Sequence, residues 1–92
     1  YLCHGEKSLM ARFHLAAGAS LPLHSHPHEQ TGYLVGGHLT FDIGGDIFDA
    51  GPGDSWCIPG NVVHGVRVLE DTIIIEVFAP RRDAYLPPDA AT

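Results

Sequence analysis

Seven consecutive residues, His24-Ser25-His26-Pro27-His28-Glu29-Gln30, include five side chains able to hold a transition metal. In an extended strand successive side chains alternate between faces, so His24 and His26 project the same way from neighbouring pleats. Two neutral imidazoles aimed at one point begin a metal site. His28 shares their parity, but Pro27 should interrupt the strand and turn that imidazole toward a loop. Glu29 has the opposite parity and is expected in solvent or beside a basic residue.

A second acid stands out for a different reason. Thr72 to Phe78 is an almost wholly apolar run broken by Glu76, and a carboxylate buried there needs a cation, a metal or water beside it. Two registers are open if the chain turns back just before this run. A three-residue loop, Leu69 to Asp71, places Glu76 opposite His64 on one face, whereas a two-residue Glu70-Asp71 turn places it opposite Gly65 and off that face. Trp56 and Cys57 likewise have opposite parity, so only one of them faces an interior, and parity alone does not say which. Cys57 has no support as a nucleophile beyond its residue type. His4, His14 and His38 are expected to be structural or exposed.

The elements that must position these groups read as short strands. Apolar, β-rich runs cover Ser8 to Leu15, Ser20 to His26, Gln30 to Val35, His38 to Ile43, Asp46 to Asp49, Ser55 to Ile58, Val62 to Val68 and Thr72 to Phe78. Turn signals separate them at Gly36-Gly37, Gly44-Gly45, Gly51-Pro52-Gly53, Pro59-Gly60-Asn61 and Glu70-Asp71. No stretch sustains a helical period, so helix content should be close to nil. The segment from Ala79 onward, residues 79–92, reads as an irregular surface tail. A jelly-roll barrel disposes of most exposed strand edges and provides an interior for inward residues. The first strand could pair with a second subunit, so a homodimer is expected.

Composition narrows the classes of function. The 92 residues make one small domain, and eleven glycines and seven prolines suit short strands better than a helical bundle. A net charge of −6, with five basic residues among eleven acids, excludes a phosphate-binding face and with it a nucleic-acid partner. No apolar run is long enough to cross a membrane as a helix, and no signal peptide is visible in a chain that starts at Tyr1. Cys3 and Cys57 do not make a disulfide framework and are read as reduced thiols in a cytoplasmic protein.

The histidine spacing resembles that of the cupins, whose motifs are G(x)5HxH(x)3-4E(x)6G and G(x)5PxG(x)2H(x)3N. Gly18, His24, His26, Gln30 and Gly37 follow the first motif, and Gly53, Pro59 and His64 follow the second, with fifteen residues between the two. The resemblance covers about residues 8–78 and implies an all-β, cupin-type jelly-roll barrel. It also implies a divalent transition metal (Fe, Mn, Ni, Co or Zn) held by His24, His26, Gln30 and His64. Three positions depart from the pattern: Gln30 replaces the usual glutamate, Asn61 a glycine, and Val68 an asparagine. An amide oxygen adds no negative charge, so the ion would be the stronger Lewis acid. The carboxylate of the facial triad common in non-haem iron oxygenases is also missing. Non-redox chemistry on a carbonyl or hydroxyl is therefore favoured.

The ending Glu76-Val77-Phe78-Ala79-Pro80-Arg81-Arg82-Asp83 is similar to that of small cupins related to the bacterial pectin-degradation cupins. These convert 4,5-unsaturated uronates to linear keto forms. The resemblance implies a small acidic substrate, with Glu76 as acid/base and Arg82 and Phe78 flanking it. Phe78 or Tyr33 could stack on a sugar face, and Gly32 should leave room near the metal. A metal-dependent dioxygenase or polyketide-cyclase-like cupin, and a non-enzymatic small-ligand-binding cupin, are the alternatives.

Overall fold

The computed structural model describes residues 1–87, and they form seven strands and one short 3-10 turn. The strands are β1 (Cys3–His4), β2 (Leu9–Leu15), β3 (Ser20–His24), β4 (Glu29–Ile43), β5 (Asp46–Ala50), β6 (Ser55–Ile58) and β7 (His64–Ala79), all paired antiparallel. The expected all-β jelly roll is what forms. It is organised around one long two-stranded ribbon, β4 with β7, paired from Glu29↔Ala79 to Ile43↔His64.

Each half of the ribbon belongs to a different leaf of the barrel. The half containing Glu29 to Leu34 and Ile74 to Ala79 is flanked by β6 and by β2, which carries β1 on its outer edge. The other half is flanked by β3 and β5. Except for exposed Glu70 at the bend, even-numbered residues of β7 face inward, and Val68, Thr72, Ile74 and Phe78 are all buried. Val68 and Ile74 meet Leu34, Leu39, Phe41, Ala50 and Ile58 in one core cluster, and Phe78 meets Leu9 and Ala11 in another.

Two expected turns do not form. Gly36-Gly37 and Glu70-Asp71 lie across from each other in the ribbon, which bends there and shifts register between Leu34 and Leu39 instead of breaking. A Cβ on Gly37 would lie 2.2 Å from the Thr72 hydroxyl, and its φ is +105°, so the bend requires glycine at that crossing. Thr72 Oγ1 donates to Glu70 O and accepts from the His38 amide, while Asp71 accepts from the Ala17 amide. These bonds satisfy the backbone where the ladder is irregular. With no hairpin at Glu70-Asp71, both registers weighed for Glu76 fall away. The expected Gly44-Gly45 hairpin does form, closing Ile43 onto Asp46 with both glycines at positive φ.

The tail also departs from expectation. Residues 80–86 fold back, with a 3-10 turn at Asp83–Tyr85, and Tyr85 and Leu86 pack on the cluster of Leu9, Ala11 and Phe78. Tyr85 sets its ring edge-on to Phe13 and Phe78 at 5.7 and 5.3 Å between centroids. Aromatic pairs of this geometry hold such a segment without regular structure. Residues 88–92 of the expected tail lie outside the described residues. At the other end, β1 occupies the β2 edge only at Leu9 and Met10.

Candidate metal centre

β3 ends at His24, and His26 follows just beyond it, so the two imidazoles do not share a regular pleat. They converge nonetheless, because the chain at Pro27 is held by the turn before β7. Asn61 N donates to His26 O at 2.7 Å, and a Cβ on Gly60 would lie 2.5 Å from Pro27 O. Asn61 has a φ of +66°, so asparagine takes a left-handed position here. β3 pairs His24 directly with His64 at the start of β7.

The outcome is three imidazoles with ring centroids 4.3 to 5.7 Å apart and a donor atom from each within 4.8 Å of the others. Hydrogen bonding settles which nitrogen is available. The Nδ1 atoms of His24, His26 and His64 lie 2.8, 3.0 and 2.9 Å from the carbonyls of Pro22, His28 and Val62. A carbonyl only accepts, so each Nδ1 carries the proton and each Nε2 presents a lone pair. His64 Nε2 is buried with no partner. His26 Nε2 lies 3.1 Å from Gln30 Oε1, two acceptors facing each other. Lone pairs gathered this way suit a divalent cation, and the donor set fits the expected metal.

Gln30, 8% exposed, is oriented by its other end, since its Nε2 donates to Glu76 Oε2. That leaves Oε1 toward the histidines. His28 contributes its carbonyl to His26, while its own ring lies outside the three-histidine group. Burial and then the positive charge of Arg82 lower the pKa of His26, which keeps the ring neutral.

Glu76 is 5% exposed and lines the same cavity as His24, Gln30, His64 and Arg82, a space of about 560 Å³ with its mouth. Burial raises its pKa, opposed by hydrogen bonds from Gln30 and Trp56 and by the charge of Arg82. Both hydrogen bonds end on Oε2. No described residue donates to Oε1. The Arg82 guanidinium lies against the rings of both Phe78 and Tyr85, 5.2 and 4.6 Å from their centroids. Phe78 lines the cavity from the core, at 1% exposure.

Two expectations about this region are corrected. Tyr33 has odd parity in β4 and stands on the outer face at 49% exposure, away from the cavity. The room expected beside Gly32 is filled, because a Cβ there would lie 2.3 to 2.5 Å from the Trp56 indole. Of the residues left open by parity, Trp56 therefore faces inward, and Cys57 is exposed and free, as is Cys3. Trp56 and Tyr85 are the site residues that sequence reasoning did not assign. The inward parity of Trp56, shared with buried Ile58, was the available signal for the first.

Residues 11–79 match the family described as the cupin domain. The pectin degradation protein KdgF of Dickeya dadantii is 32% identical over 80 residues, which cover 85% of this chain and 73% of that protein. Among solved structures, KdgF from Halomonas sp. superposes with a TM-score of 0.86 at 32% identity, over 91% of this chain and 78% of that one. An RmlC-like cupin from Shewanella frigidimarina gives 0.85 at 28% identity, over 90% and 75%. Sequence and superposition agree with the converging imidazoles, and the chain belongs to the cupin family and is similar to a pectin-degradation cupin.

Proposed function

We propose that this cupin is a metal-dependent, oxygen-independent enzyme that linearises a 4,5-unsaturated uronate or a closely related sugar acid. The observation that carries the reading is the free Oε1 of Glu76, set in one cavity with Arg82 and with His24 and His64 of the imidazole cluster. The chain's similarity to a protein named for pectin degradation, and to a second KdgF among the solved structures, supports the substrate class.

His24, His26, His64 and Gln30 Oε1 would hold a divalent ion, whose charge would acidify a hydroxyl lying beside it. Arg82, held against two aromatic rings, presents its N–H groups to the uronate carboxylate in a paired contact. Glu76 Oε1 accepts the proton of the ring hemiacetal as the bond from that carbon to the ring oxygen breaks. An aldehyde and an enolate form, and the enolate becomes a ketone when the same proton is returned to its carbon. The net change is an isomerisation that consumes no oxidant. Burial, by raising the Glu76 pKa, makes one carboxyl suited to taking and returning that proton.

Loss of the enol-ether chromophore from unsaturated uronate monomers, followed without oxygen on metal-loaded protein, tests the proposal. Turnover supports it, and no acceleration over buffer at confirmed metal occupancy rejects it. The same reading takes the working unit as a cytoplasmic homodimer, paired along the β2 edge beyond Met10, where β1 no longer covers it. A monomer by light scattering would reject that part.

A further inference from the structure

Gly32 is the point across which the acid and the sole tryptophan of the chain meet. In β4 it pairs with Trp56 of β6 on one side and with Glu76 of β7 on the other. The three positions share the inner face of the leaf, as do buried Gln30, Leu34 and Ile58. Three indole atoms occupy the space a Cβ at Gly32 would need, 2.3 to 2.5 Å from it. The indole thus crosses β4 where that strand has no side chain. Its Nε1 comes to 3.2 Å from Glu76 Oε2. Gln30 Nε2 donates to the same oxygen from the metal side.

We propose that Trp56, admitted by Gly32, is a positioning residue for Glu76. Together with Gln30 it pins Oε2 and turns Oε1 into the cavity as the atom that exchanges the proton. The inference rests on the reading of Glu76 as the acid/base group, and it adds a residue that acts through it. A competing account makes Trp56 a packing residue alone, since its ring also lies 4.7 Å from that of Phe41. The two accounts differ in what the N–H does. Two donors on one carboxylate oxygen restrict rotation of the group, and a catalytic contact depends steeply on such placement.

The experiment has a spectroscopic arm and a kinetic arm. A sole tryptophan gives one indole N–H resonance in 15N-labelled protein, recorded with zinc as a diamagnetic probe. In Glu76→Gln a neutral amide replaces the carboxylate acceptor, and the resonance should move upfield. An unmoved resonance overturns the proposal. In Trp56→Phe the ring against Phe41 is retained and the donor lost. The kcat on unsaturated uronate should fall about tenfold or more, as loss of a hydrogen bond to a charged group predicts, while KM and metal content hold. Gly32→Ala, which displaces the indole but keeps it in the chain, should reproduce that fall. A Trp56→Phe protein that melts lower yet keeps the kcat of wild type per folded, metal-loaded molecule establishes packing alone and also overturns the proposal. Should wild type fail to turn over any unsaturated uronate, the proposed function is rejected, and the indole resonance still decides whether Trp56 holds Glu76.

Discussion

Gln30→Glu would appear to restore the usual cupin ligand, and the structure indicates that it should damage this one. The amide does two jobs at once: Oε1 faces the histidines and Nε2 donates to Glu76. A carboxylate can take over only the first. It removes a hydrogen bond to a charged group, about 1.5–3 kcal/mol. It also places a second acid at roughly 3 Å from the first, where two negative charges repel by about 5 kcal/mol at an effective dielectric constant of 20. The two effects overlap and do not add. Either is enough to make the pair retain one shared proton in the metal-free protein, as carboxylates sharing a site do. Metal binding should survive, because the new charge faces the cation. Catalysis should not, since Glu76 would then be tied to a carboxyl instead of an amide, and losing a positioned acid/base group costs about 10²–10⁴-fold. The assay pairs metal analysis and turnover with thermal melting of the metal-free variant from pH 5 to pH 8. The variant should lose stability relative to wild type as pH rises and both acids are forced to ionise. Equal melting across that range, with full kcat, would show that Gln30 and Glu76 do not share a hydrogen bond and would refute the reasoning.

Three further outcomes follow from the same geometry. His64→Ala removes the buried, unpartnered Nε2 and should abolish metal retention measured by elemental analysis; retained stoichiometric metal would reject the centre. Arg82→Ala should chiefly raise KM for a uronate, because carboxylate binding is common to ground and transition states; an unchanged KM would move the anion site elsewhere. Glu76→Gln should lower kcat by about 10²–10⁴-fold at full metal content, and its metal-free form has a signed pH dependence. Burial raises the folded pKa of Glu76 above the unfolded value, so metal-free wild type is most stable below the unfolded pKa. That stability falls as pH rises through the interval and levels off above the folded pKa. The variant should therefore melt above wild type at neutral pH and lose the advantage in acid, and calorimetry against pH checks it.

The parts of the centre legible in the sequence were those set by short spacing. His24 and His26 lie two residues apart, and His64 was legible only through the spacing of the second cupin motif, since what brings it to them is the pairing of β3 with β7. Glu76 was legible as a buried acid needing a partner, because an apolar run leaves a carboxylate few choices. Its register was not, and the reason is physical. Gly36-Gly37 and Glu70-Asp71 carry the composition of hairpin turns, but they face each other across a ribbon that is hydrogen-bonded on both sides of the bend. Tertiary pairing overrode local turn chemistry. The same limit applied to Tyr85, whose segment has no period and is held by aromatic contacts to residues far along the chain.

The ribbon also explains how residues so distant in sequence form one centre. β4 supplies Gln30 and Gly32, and β7 supplies His64, Glu76 and Phe78. Gln30 pairs with Phe78 and Gly32 with Glu76, so the contact between Gln30 and Glu76 runs diagonally across adjacent rungs. A slip of one residue would turn Glu76 to the outer face and bring Ile75 or Val77 inward. The apolar residues around Glu76 resist such a slip, because Ile74 and Phe78 are buried on the same face. Core packing and the geometry of the candidate site are therefore set by a single register, and the same burial that holds the carboxylate raises its pKa.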